Sequence, residues 1–203
     1  MTAQGALNVS RETERRLSIY ADLLRKWSRS INLVSKSTIS DMWTRHIVDS
    51  AQLFKIAPHS ISHWADLGSG GGFPGLVVAI MAMETGSPER ITLVESDIRK
   101  CTFLRTVIRE TGAPAQVVTD RIEKVAPLQA DVLTARALAD LSTLLGFAER
   151  HMKPDGVAIF PKGANWQKEV EEARTKWHFD YWFAKSETET GPVILCITGV
   201  SRV

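Results

Sequence analysis

The chain has 203 residues, 44% of them hydrophobic and 24% charged, with a formal net charge of +2 and a mean hydropathy of −0.08. That apolar content excludes a mainly disordered chain, and the length suits one sizeable core better than two. No apolar run approaches the ~20 residues of a bilayer span, the first ten residues lack a signal peptide's apolar centre, and Cys101 and Cys196 form no CxxC; a membrane protein, a disulfide scaffold and a cysteine zinc site are set aside, and a cytoplasmic protein is expected.

Across residues 11–28, Leu17, Tyr20, Ala21, Leu24 and Trp27 recur at three- and four-residue steps and predict an amphipathic helix. A second stripe, Ile39, Trp43, Ile47, Ala51 and Phe54, predicts another, with Thr38-x-x-Asp41 resembling a capping box in which Asp replaces Glu. Residues 30–37 read as a connector. This front end is basic: residues 1–60 carry nine Lys/Arg against five acids, a balance of +4, and the remainder carries sixteen against eighteen, or −2. Such a front suits a polyanion partner or a solvated helix surface equally well.

After Pro58 short apolar runs alternate with amphipathic helices. Strands are expected at 63–67, 91–95, 115–119, 131–134 and 157–160, with helices at 76–85, 97–110, 138–151 and 165–176. Two strands, 179–184 and 193–198, close the chain with no helix between them. This alternation predicts an α/β fold with a mostly parallel sheet, helices on both faces and an antiparallel hairpin at one edge. The whole of 1–203 reads as one domain, with a helical extension over 1–58 and an α/β core over 59–203.

The sharpest motif is Asp66-Leu67-Gly68-Ser69-Gly70-Gly71-Gly72-Phe73-Pro74-Gly75, five glycines in eight positions after a strand and before a helix. Such a turn brings backbone close to a ligand at the carboxyl end of the first strand. Two cofactors fit it. Gly70-x-Gly72-x-x-Gly75 matches the dinucleotide fingerprint, with Glu95 twenty residues on; Asp66 before Gly68-x-Gly70 matches the turn of enzymes that bind S-adenosylmethionine. Glu95, ending the second strand, serves both as an acceptor for a ribose diol, and its replacement by Ala is expected to weaken cofactor binding and leave the fold intact. Asp120-Arg121-Ile122-Glu123 after the third strand is placed to contact an adenine ring. Thr134-Ala135-Arg136-Ala137 after the fourth lies where substrate must meet cofactor, and no His–Asp or Tyr–Lys pair offers a hydride-transfer site there. These residues favour the adenosyl cofactor over NAD.

Taken together the motifs resemble the ribosomal RNA small-subunit methyltransferase G family, also called glucose-inhibited division protein B. The marks are Lys26-Trp27, Ile31-Asn32-Leu33, Arg45-His46-Ile47-Val48-Asp49-Ser50, the glycine loop through Phe73-Pro74-Gly75, Glu95-Ser96-Asp97-Ile98-Arg99-Lys100, Arg121-Ile122-Glu123, Ala135-Arg136-Ala137 and Pro161-Lys162-Gly163. The resemblance departs at Ser28, where Asn often follows Trp, and at Ala135, where Ser often precedes Arg. It implies a Rossmann-like class I methyltransferase with a seven-stranded sheet, S-adenosylmethionine as cofactor, and N7 of a guanine in 16S rRNA of the small ribosomal subunit as target. Cofactor contacts carried over are Gly68, Phe73, Ile122, Glu123 and Arg136, beside Gly70 and Glu95 from the reading of the loop. Arg136 is also the expected catalytic-site residue, positioning substrate against cofactor. Arg25, Lys26, Arg29, Arg45, His46 and Lys162 are expected to face RNA, and Trp166, beside Lys162, is a candidate stacking surface. A monomer without metal is expected.

The implied chemistry agrees with the residues lacking. Guanine N7 already carries an in-plane lone pair, so no base must strip a proton; C5 methylation of a pyrimidine would need an activated cysteine, and Cys101 and Cys196 fall in a helix and a strand. An NAD-dependent oxidoreductase, a small-molecule methyltransferase on the same sheet, and a non-catalytic RNA-binding regulator are the alternatives. Only an RNA methyltransferase uses both the basic front and the glycine loop.

Overall fold

In a computed structural model, which describes residues 7–35 and 38–203, the alternating segments form one seven-stranded sheet. The strands are β1 His63–Leu67, β2 Arg90–Glu95, β3 Ala115–Thr119, β4 Ala130–Ala135, β5 Met152–Lys162, β6 Trp177–Lys185 and β7 Val193–Arg202, in the order β3-β2-β1-β4-β5-β7-β6. The first five pair in parallel, and β7 lies antiparallel between β5 and β6. The sheet order turns back between β1 and β4, which opens a crevice beyond the carboxyl ends of those strands.

Helices α1 Arg11–Trp27, α2 Asp49–Ile56, α3 Gly75–Thr85 and α4 Ile98–Thr111 cover one face, and α5 Leu141–His151 and α6 Trp166–Ala173 cover the other. Strand residues alternate between the two cores: Val132, Ile159 and Cys196 face the first, and Leu133, Phe160 and Leu195 the second. α3 buries every residue from Gly75 to Ala82. It is apolar all round because α1 and α2 cover the side that the sheet does not. The N-terminal stripes therefore pack into the same core as the sheet, with Trp27 against Phe103 at 5.7 Å between ring centroids. No helix among the described residues is long and apolar enough to cross a membrane.

Several boundaries move for local reasons. The helix expected from 138 begins at Leu141, because the Asp140 carboxylate caps it by accepting from the Thr143 N–H at 3.0 Å. The Thr38 capping box does not form. Thr38 donates instead to the Ser35 carbonyl and pairs with His46, and the helix starts without a side-chain cap. Its first turns, Trp43–Val48, are π-helical, with the Asp49 N–H bonded back to Thr44 O. The four-residue steps Trp43, Ile47 and Ala51 outrun a 3.6-residue turn, and the wider turn keeps Trp43 and Ile47 on the buried face.

Candidate functional site

β1 ends at Leu67 and the chain turns through the glycines into α3. Ser69 N–H bonds to Val94 O of β2 at 3.1 Å, and Gly72 N–H closes back on Ser69 O at 2.7 Å. Behind the turn, the fully buried Asp66 accepts from the Thr134 hydroxyl at 2.8 Å and the Gly75 N–H at 3.3 Å. Burial pushes its carboxyl up to about 6, and the hydrogen bonds and the Arg136 charge oppose that rise. Asp66 ties β1, β4 and α3 together rather than facing the crevice.

The glycines serve two purposes. A Cβ on Gly71 would meet Leu33 O at 2.9 Å, and one on Gly75 would meet Leu93 Cδ2 at 2.3 Å, so these two allow the connector and the sheet to pack closely. Gly70 differs. It has φ +55°, and a Cβ there would find no protein atom nearer than 3.7 Å. Its missing side chain leaves room for a ligand.

Two cavities open along the crevice. The first, of about 430 Å³, is lined by Gly68, Gly70, Glu95, Ile122, Glu123 and Arg136 among others. Six of the seven residues expected to hold the cofactor thus meet in one place. Phe73 does not line this cavity. It lines a second, of about 640 Å³, between Tyr20 and His46 at centroid distances of 5.1 and 5.0 Å. The cavities share Gly68, Gly70, Lys100, Arg136, Ala137 and Ala139. A third hollow, lined by Val9, Phe54, Ile61 and Met81, lies at the opposite end of the strands, and the carboxylate on its rim, Glu84, is occupied with Ser10, which caps α1, and with Thr13.

Glu95 does more than end a strand. One carboxylate oxygen accepts from the Gly70 N–H at 2.9 Å, and the other from the Ser96 and Asp97 N–H groups at 2.8 Å each. The expectation that Glu95→Ala leaves the fold intact is therefore corrected: three backbone donors would lose their acceptor at a residue 8% exposed. We expect Glu95→Ala to lower unfolding free energy by roughly 1–3 kcal/mol, and Glu95→Gln, which keeps one acceptor oxygen, by less. Urea denaturation decides it; equal midpoints for the wild type and the Ala variant would refute the scaffold role.

Arg136 joins the cavities. Its guanidinium donates to His46 Nδ1 at 3.0 Å, approaches Asp49 Oδ2 at 3.8 Å, and lies over Phe73 at 4.9 Å from the ring centre. With Nδ1 accepting, the His46 proton sits on Nε2 and is donated to Thr38 Oγ1 at 2.9 Å. Burial and the neighbouring Arg136 and Arg45 charges push His46 down to about 4, so the ring is neutral at physiological pH. Its ordinary value is 6.5. The folded state therefore binds fewer protons than the unfolded state, and this contribution to stability is lost as pH falls from 6.5 towards 4.

The residues expected to face RNA divide. Arg25, Lys26 and Arg29 are exposed at the end of α1, with Arg25 on Asp22 at 2.8 Å, and line neither cavity of the crevice. Arg45 lies on the rim of the second cavity, paired with Glu189. Lys162 lines that cavity as well, yet its side chain is only 8% exposed and its ammonium pairs with Glu169 at 2.5 Å; it is a buried ion-pair member rather than a free surface cation. Trp166 is buried against Phe183 at 4.7 Å and offers no stacking surface. Among the described residues no cluster of His, Cys, Asp or Glu is arranged for a metal. Both cysteines are buried and free, and burial pushes the Cys196 thiol up to about 11.

Sequence reasoning passed over the β6–β7 loop. Thr188 donates to Asp49 Oδ1 at 2.9 Å, Glu187 N–H to Gln52 Oε1 at 2.8 Å, and Glu189 holds Arg45, so this loop walls the second cavity against the start of α2. Nothing local signals contacts across 139 residues. Tyr20, whose hydroxyl donates to Gly71 O at 2.5 Å, was legible only as a core position.

A family model described as rRNA small subunit methyltransferase G matches residues 13–192. Proteins named ribosomal RNA small subunit methyltransferase G are similar over nearly the full length: the one from Ruegeria pomeroyi is 56% identical over 97% of this chain and 96% of its own, and the one from Paracoccus denitrificans is 49% identical over 96% and 98%. Among solved structures, a methyltransferase from Geobacter sulfurreducens superposes with a TM-score of 0.61 at 13% identity over 96% of this chain and 91% of that one. M. jannaschii TYW2 in complex with AdoMet gives 0.60 at 13% identity over 86% and 80%. At such identities these two establish the fold.

Proposed function

The chain belongs to the rRNA small subunit methyltransferase G family, and from that premise we propose that it transfers a methyl group from S-adenosylmethionine to N7 of one guanine in 16S rRNA of the small ribosomal subunit. The observation that carries the reading is the pair of adjoining cavities at the carboxyl ends of β1 and β4 with Arg136 common to both. The first suits the adenosyl cofactor: Gly70 leaves space, Glu95 supplies acceptor oxygens at the ribose position, and Ile122 offers an apolar contact beside Glu123 for the adenine. The second suits the guanine, and the exposed basic residues Arg25, Lys26 and Arg29 on the helical extension suit the RNA around it.

When bound, the cofactor supplies a methyl carbon on a cationic sulfur; the N7 lone pair takes the methyl, the S–C electron pair stays on sulfur, and no proton is removed. The protein's task is then orientation. Arg136 holds the two reactants in line on this reading, supported by its contact with the neutral His46 ring, which stacks on Phe73. No thiol nucleophile serves this site, since Cys196 stays protonated and Cys101 is spent on the Glu95 carbonyl at 3.2 Å.

The test compares 16S rRNA from cells with and without the protein, followed by digestion and nucleoside identification. One 7-methylguanosine present only with the active protein is expected, together with calorimetric binding of S-adenosylmethionine and none of NAD. The rate should stay nearly flat from about pH 6.5 to 8.5, because His46 has lost its proton well below that range and no base is needed. A different modified nucleoside, or a rate rising through a neutral pKa, would overturn the proposal.

A further inference from the structure

If N7 receives the methyl, that edge of the guanine must face the cofactor cavity, and the Watson–Crick edge is left to face the second cavity. There guanine presents two adjacent donors, N1–H and N2–H, where adenine presents the N1 lone pair and a C2–H. A donor pair is matched by a carboxylate, which only accepts. The side chains of the second cavity that match such a pair are its carboxylates.

Among the described residues three carboxylates line that cavity: Asp49, Glu169 and Glu189. Glu169 is taken by the Lys162 ammonium and the Leu141 N–H. Glu189 is exposed at the rim and engaged with Arg45. Asp49 is different. Its Oδ1 is anchored by the Thr188 hydroxyl at 2.9 Å and the Gln52 amide at 3.3 Å, which fixes the carboxylate from behind. Its Oδ2 has no hydrogen bond among the described residues, and the nearest cation, Arg136 Nη1, stands off at 3.8 Å. The side chain is 21% exposed, enough to be reached from the cavity.

We infer that Asp49 reads the target base, its free Oδ2 accepting from N1–H and N2–H while N7 points towards the cofactor cavity; the inference rests on the guanine-N7 reading above. The same contact strengthens as the reaction proceeds. Methylation at N7 gives the ring a positive charge and makes N1–H a better donor, so an anion fixed at that edge stabilises the transition state more than the ground state. Asp49 in this role touches the substrate, and the loop that carries Thr188 holds it in position.

The experiment uses the full chain and small-subunit RNA in which the methylated guanosine, once mapped, is replaced by inosine through ligation. Inosine keeps N7 and N1–H and lacks the 2-amino group. The wild type should methylate the inosine RNA with kcat/KM roughly tenfold lower or more, the cost of one hydrogen bond to a charged acceptor. In Asp49→Asn the rate on guanosine should fall and the guanosine-to-inosine ratio should collapse towards one, with S-adenosylmethionine affinity unchanged as evidence of an intact fold. Equal wild-type rates on the two RNAs overturn the inference without any variant. A ratio that survives in Asp49→Asn while both rates fall also overturns it, because Asp49 would then only position Arg136. Absence of 7-methylguanosine with the wild type overturns the parent reading and this inference together.

Discussion

Arg136→Lys should lower single-turnover methyl transfer by about two orders of magnitude while the protein remains folded. The planar guanidinium does three things at one place: it donates to His46 Nδ1, faces the Asp49 carboxylate and covers the Phe73 ring. A lysine ammonium keeps the charge, yet it is a point donor on a flexible stem and cannot lie flat over a ring while donating sideways. Because the side chain lines both cavities, its displacement disturbs the alignment of two reactants, and misplacement by about 1 Å costs on the order of a hundredfold. Far-UV circular dichroism should be unchanged, since the residue belongs to neither apolar core. Activity within tenfold of the wild type would show that Arg136 stands near the reaction without positioning it.

The second large effect falls on stability. Gly75→Ala should destabilise the protein by roughly 1–3 kcal/mol or more, as overpacking of a dense core does. The new methyl would lie 2.3 Å from Leu93 Cδ2 and 2.8 Å from Asp66 Oδ2, and both are fixed in adjacent buried strands. It would also push the start of α3 off the carboxylate that accepts its Gly75 N–H. Gly70→Ala makes the opposite case. Its Cβ has space, so the cost to the fold is confined to the positive φ, while the methyl intrudes where the cofactor is expected. Urea unfolding and calorimetric titration should separate the pair, the first variant failing mainly in stability and the second mainly in affinity. If both lost affinity alone, the division of the loop into packing and binding glycines would be wrong.

Much of this architecture was legible because its signals are local. The strand before the glycine turn, the helix after it and the closing hairpin each announce themselves by spacing within ten residues, and the positions that line the first cavity follow from the rule that ligands bind at the carboxyl ends of parallel strands. What escaped depends on atoms far apart in the chain. Glu95 read as a free acceptor because three of its partners are backbone amides, which a sequence does not distinguish. Thr38 read as a helix cap because the alternative, His46 eight residues on, requires a turn the sequence does not specify. Lys162 read as a surface cation because Glu169 reaches it only when α6 folds back on the end of β5. The glycine run read as one ligand-binding device because Leu33, Leu93 and Asp66, which fill the space beside two of its members, come from three separate segments.

The tie between the β6–β7 loop and the start of α2 has a consequence for the order in which the site is completed on the ribosome. The residues that surround the first cavity, all between Gly68 and Phe147, are synthesised before any of the closing hairpin exists. The wall of the second cavity is not: Thr188 reaches back 139 residues to Asp49. β6 joins the sheet only through β7, which lies between it and β5. A nascent chain halted short of Trp177 therefore carries the residues of the first cavity and lacks both strands of the hairpin and the Thr188 contact to Asp49. Chain growth runs from the amino end, so the second cavity is walled only after the residues of the first have been synthesised.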